Sequence, residues 1–117
     1  MPAYTVEFAA EAERDFELIF DFLEESYRSL GEGAEDAIAH AARRVEAIRT
    51  AAARLGHVPY RGTLHPEIMP GLRHVTIDQA IYWFFVDNDA LIVRVLAVFF
   101  GSQDHVRRML VRLLQRS

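Results

Sequence analysis

The sequence predicts an α+β fold of order β-α-α-β-β-β-α, an antiparallel sheet packed against an N-terminal helical hairpin with a short C-terminal helix. Three observations lead there. Residues 80–86 and 91–100 are strongly apolar, rich in β-branched and aromatic side chains, and flank the turn signal Asp87-Asn88-Asp89. Two long segments upstream repeat apolar residues at helical spacing. Gly101 then separates the last strand from a short basic segment with the same helical period.

Taken in order, residues 4–8 alternate apolar and polar and form a short strand. A helix over 11–30 follows, with Phe16, Ile19, Phe20, Leu23, Tyr27 and Leu30 on one face and the acidic residues on the other. Acids in its first turn suit the helix dipole. Gly31-Glu32-Gly33 breaks it. The second helix, 34–55, carries the stripe Ala34, Ile38, Ala41, Val45, Ile48, Ala52 and Leu55, and Gly56 is its expected stop. Its alanines permit close approach, so the two helices form an antiparallel hairpin. Residues 57–71 are a loop with three prolines, and 72–77 a strand. The last helix spans 103–114, with Ser102 as cap. Its apolar face is Val106, Met109, Leu110, Leu113 and Leu114, and Arg107, Arg108, Arg112 and Arg116 point away. Neither apolar strand alternates, so both sheet faces need cover. One short helix is little cover for the second face, which predicts an exposed interaction surface there.

At 117 residues the chain is one domain, 1–117, long enough for a core, and 51% hydrophobic with 26% charged residues is the balance of a folded soluble protein. No cysteine excludes disulfides and thiol chemistry. No apolar run reaches the ~18–20 residues of a membrane span. The N-terminus has no signal-peptide pattern, so the expected location is cytoplasmic. The net charge of −4 is unevenly spread. Acids crowd residues 7–25 against Arg14, whereas Arg94, Arg107, Arg108, Arg112 and Arg116 face Asp104 near the other end. All 13 basic residues are Arg, which excludes any mechanism that needs a titrating Lys.

The ordered signposts carry a resemblance. They are Tyr4-x-Val6-x-Phe8, the helix start Ala10-Glu11-Ala12-Glu13-Arg14-Asp15-Phe16, Pro70-Gly71-Leu72-Arg73, Tyr82 in the middle strand, and residues 94–104 from Arg94 through Gly101. Together they resemble the ParE branch of the RelE/ParE toxin superfamily, the toxins of plasmid-stabilisation modules, over nearly the whole chain. The resemblance implies a growth-inhibiting toxin of a type II toxin–antitoxin system. Its partner would be a ParD-like ribbon-helix-helix antitoxin whose C-terminal tail wraps over the toxin, and its target would be DNA gyrase, reached through the C-terminal part. Two departures stand out. Ala9-Ala10 replaces a Ser-Pro pair frequent before the first helix, and Phe100 occupies the place of a His that often precedes the Gly of the last strand.

The rival reading is a ribosome-dependent mRNA endonuclease of RelE type. That chemistry needs a base, an acid and cations on the phosphate. The resemblance places basic residues near positions 81 and 103, where this chain has Ile81 and Gln103, so an enzyme is not expected. A third reading is an inactive relative kept for partner binding. Target contact is assigned to Arg73, Arg94, Arg107, Arg108 and Arg112, and antitoxin contact to Tyr82, Phe84 and Phe100. Arg73 either meets a phosphate or carboxylate or pins the Pro-rich loop through its carbonyls. Arg94 is either paired with the acidic first helix or open to a partner. His40, His57, His65, His74 and His105 lack metal-ligand spacing, and His74 reads as an ordinary exposed strand residue. Asp104 is better explained by capping than as part of a triad with His105. Tyr82-Trp83-Phe84-Phe85 reads as core rather than a base-stacking platform. No metal or cofactor is expected, nor direct contact with nucleic acid.

Overall fold

The computed structural model describes residues 3–101 and 104–115. It is α+β, with β1 (Thr5–Phe8), α1 (Ala10–Ser29), α2 (Ala34–Ala51), a 3-10 turn (Ala52–Gly56), β2 (Thr63–Leu64), β3 (Arg73–Ile77), β4 (Ala80–Asp87), β5 (Ile92–Phe100) and α3 (His105–Gln115). The sheet runs β1-β5-β4-β3-β2. Four strands are antiparallel neighbours, but β1 lies parallel to β5, so the sheet is mixed rather than antiparallel throughout. The two-residue β2, which the composition did not announce, pairs the Pro-rich loop to β3.

The doubly apolar strands follow from a two-sided sheet. In β4, Ala80, Tyr82 and Phe84 face the core under α1 and α2, while Ile81 and Trp83 face the other way. In β5, Val93 and Val95 face the helical hairpin, and then the register shifts. Trp83 pairs with Ala97 and Phe84 with Val95, leaving Leu96 as an extra residue, a β-bulge. Past it the parity inverts. Val98 and Phe100 join the hairpin core, and Leu96, Ala97 and Phe99 the opposite one.

The second face is not open, contrary to the sequence-based expectation. Leu72, Ile81, Trp83, Leu96, Ala97, Phe99 and Met109 form a second buried cluster under α3, with Ile68 and Met69 of the loop packed against it. A short helix suffices because the Pro-rich loop folds over the sheet beside it. The hairpin also differs in detail. Leu30 and Ile38 are exposed, and Ala37 and Asp15 are buried in their stead. Ala9 caps α1 without a side-chain hydrogen bond. Gly56 is required for contact rather than as a helix stop, since a Cβ there would collide with the Tyr4 carbonyl. Ser102, Gln103 and Arg116 lie outside the described residues.

Candidate functional site

β1 ends at Phe8, opposite Val95, so the outer edge of β5 has no strand beside it from the bulge onward. α1 runs past that edge and places Asp15 against it. The carboxylate, 3% exposed, accepts the Val98 backbone N–H at 2.9 Å. From the other side of the sheet, Arg112 of α3 donates to both Asp15 oxygens at 2.7 Å each and reaches the Leu96 carbonyl at 3.4 Å. A two-pronged guanidinium–carboxylate pair is the strong form of the ion pair. Asp15 holds the guanidinium even more firmly protonated than usual. Arg112 is therefore a clamp and not the outward-facing target contact the helix periodicity predicted.

A second polar group lies under the start of α3. His65 of the Pro-rich loop, His74 of β3 and His105 of α3 gather around Trp83, with ring centres 4.7, 5.0 and 5.5 Å from the indole. His65 Nε2 and His74 Nδ1 are 2.6 Å apart, and His65 Nδ1 is 3.2 Å from Glu67. His105 meets His74 edge-on at 4.7 Å. Burial, then the neighbouring His105 and His65, push the His74 imidazole down to about 4, and burial lowers His105 too. Both rings are thus neutral near pH 7. His105 Nδ1 and Trp83 Nε1 are buried without a hydrogen-bond partner. Among the described residues no group is arranged to hold a metal ion.

The remaining expected residues scatter. Arg73 donates to the Tyr60 carbonyl at 3.0 Å and lies over the Tyr60 ring, pinning the loop. Arg94 pairs with Glu7 of β1 at 3.5 Å, not with the first helix. Arg107 is exposed, and Arg108 rests on Phe99 at 4.3 Å; with Arg112 they line a shallow groove of about 490 Å3. Tyr82 and Phe84 are fully buried under the hairpin, where the Tyr82 hydroxyl donates to the Ile48 carbonyl at 2.6 Å. They are core residues, so the expectation that they touch a partner does not fit their position. Phe100 alone of that trio is partly open. It lines a groove of about 280 Å3 with Leu18 and Phe22 of α1, which are 61% and 56% exposed.

No family model matches the sequence, and no curated protein matches it. Solved structures do. A chain of the toxin–antitoxin complex RelBE2 from Mycobacterium tuberculosis superposes with a TM-score of 0.61 at 20% identity, covering 88% of this chain and 97% of that one. A mutant of the E. coli toxin RelE in the free state gives 0.59 at 13% identity, covering 96% and 98%. The chromosomal ParDE system of P. aeruginosa gives 0.54 at 20% identity, covering 86% and 98%. The chain has the RelE/ParE toxin fold. On this RelE/ParE fold Ile81 is sealed beneath α3 at 1% exposure, so no basic group is presented from that position. The histidine cluster escaped sequence reasoning because its members are 9 and 31 residues apart and share no motif. Asp15 did leave a signal, an acid at helical spacing from Ala12 and Ile19 within an apolar stripe.

Proposed function

We propose that this chain is the toxin of a type II toxin–antitoxin module, held inactive by a cognate ParD-like antitoxin, and that it inhibits growth by binding a target such as DNA gyrase. The observation that carries the reading is the likeness, over nearly the full length, to chains of the RelBE2 toxin–antitoxin complex and the ParDE system and to the toxin RelE. The antitoxin contact moves from the sheet face to the Leu18, Phe22 and Phe100 groove, where large apolar side chains remain accessible beside the strandless edge of β5. Arg107 and Arg108, exposed on α3, are the remaining candidates for target contact. The cytoplasm is the compartment such a target implies.

A ribosome-dependent endonuclease is the second reading, favoured by the gathering of His65, His74 and His105 at one place, since imidazole is the commonest proton-transfer group. Against it, Arg73 is turned to a backbone carbonyl and the chain has no Lys to hold a phosphate. One experiment separates them. The chain is induced alone and with the product of the adjacent gene, and transcripts are mapped by primer extension. Growth arrest relieved by a co-purifying partner, without new transcript ends, is the expected result. New ends that vanish in His74→Ala or Arg73→Ala would make the chain a nuclease. A harmless chain that binds no neighbouring product would remove the toxin reading.

A further inference from the structure

We propose that the His65–His74–His105 stack is an acid-sensitive latch, which holds the start of α3 against the sheet near neutral pH and lets it go when the stack takes up further protons. The inference does not rest on the toxin reading. It starts from the proton inventory of the stack. Glu67 accepts from His65 Nδ1–H, which leaves His65 Nε2 as an acceptor, and His74 Nδ1–H donates into it across 2.6 Å. That chain runs in one direction. A proton added to His74 makes a cation whose ring centre is 4.9 Å from His65 and 4.7 Å from His105. A proton on His105 places a charge in the first residue of α3, at the positive end of the helix dipole.

The surroundings offer little to absorb such charge. From the loop, Glu67 meets His65 only, and it is itself exposed. From β3, Arg73 turns to the Tyr60 carbonyl. β4 and β5 present Trp83, Ile81, Ala97 and Phe99, none of them ionisable in this range. Asp104, just before α3, and Arg107 on it are exposed, Arg108 lies on Phe99, and Arg112 is committed to Asp15. Burial and the neighbouring imidazoles accordingly hold His74 at about 4, below its usual 6.5. A group depressed in the folded state stabilises above its unfolded value and loses that contribution as pH falls through the folded one. The latch is therefore closed above roughly pH 6.5 and opens toward pH 4. The orphaned Nδ1 of His105 and Nε1 of Trp83 weaken the closed state further, since opening hydrates both. The Asp15–Arg112 clamp holds the other end of α3, so opening is local: the first turns of α3 lift together with the loop around His65.

Hydrogen exchange read by mass spectrometry at pH 7.5 and pH 5.0, with EDTA present and intrinsic rates corrected, tests this. Protection in residues 63–74 and 105–110 is expected to fall about tenfold at pH 5.0, allowing for the partial exposure of His74. Protection around Tyr82 and Val95 should change less than threefold. His74→Gln removes the imidazole whose shift sets that size, so its pH-dependent loss should shrink at least threefold. His74→Phe, which keeps a ring against Trp83 and cannot titrate, provides the same comparison should His74→Gln not fold. Equal protection of α3 at both pH values in the unmodified chain would overturn the proposal, as would a full tenfold fall in a folded variant.

Discussion

Tyr82 and Trp83 are neighbours in β4, both fully buried, and they point to opposite sides of the sheet. Tyr82 ends on the Ile48 carbonyl, and its environment is aliphatic and aromatic. Trp83 ends among three imidazoles with its N–H unpartnered. The side-chain polar atoms found buried without a partner among the described residues both lie on the α3 side. One face is sealed by apolar contact with its polar atom satisfied. The other is held by an ion pair and a proton-dependent stack. The comparison teaches that the two layers of this small domain need not open under the same conditions, because stability is distributed by element rather than shared evenly.

The largest test of that contrast is Asp15→Ala. It leaves the Arg112 guanidinium and the Val98 N–H without their partner in a mostly buried place, and should cost about 3–5 kcal/mol in urea unfolding. A loss below about 1 kcal/mol would mean that the clamp does not hold the α3 face. Tyr82→Phe probes the hairpin face and should cost about 1–2 kcal/mol by removing the buried hydrogen bond to the Ile48 carbonyl. It sharpens the comparison through pH. Burial, with Asp78 nearby, pushes the Tyr82 phenol up to about 12 from 10.0. The folded state keeps this proton longer than the unfolded chain, so its contribution is complete below pH 10 and declines as pH rises toward 12. The hairpin face should thus weaken in alkali and the α3 face in acid. In Tyr82→Phe the alkaline decline, followed by circular dichroism, should flatten. The smallest effect is expected of Arg94→Ala. Its pair with Glu7 is 38% and 46% exposed, and the loss should stay below about 1 kcal/mol.

The fold class, the element order and the two apolar strands were legible because two-sided burial shows directly in composition. What stayed hidden was long-range. The bulge at Leu96 reverses the parity of β5, so Val98 and Phe100 lie on the side that simple alternation from Val95 denies them. Arg112 looked like a solvated helix residue since its carboxylate partner lies on another helix 97 residues away. The periodic stripe of α2 was drawn through Ile38, whereas the buried face runs through Ala37 and Ala41 and leaves Ile38 exposed. The candidate site was the least legible part. Each of His65, His74 and His105 is ordinary locally, and they become neighbours only when the loop and α3 both fold against β3 and β4. Tyr82 and Phe84 were legible as apolar strand residues but not as to which layer covers them.

The Asp15–Arg112 clamp also sets an order in time. Chains are made from the N-terminus, and Asp15 precedes its partner by 97 residues. At ~5–20 residues per second, α1 exists for about 5–20 s before Arg112 is added. For most of that interval the helix carries a carboxylate on the stripe it must bury while the β5 edge is still to be made, and the guanidinium comes last. The ion pair is therefore the last of the contacts to Asp15 that the growing chain can make, because α3 follows β5. Synthesis interrupted before α3 yields a chain whose first helix is held by its apolar contacts alone, with no cation to meet Asp15.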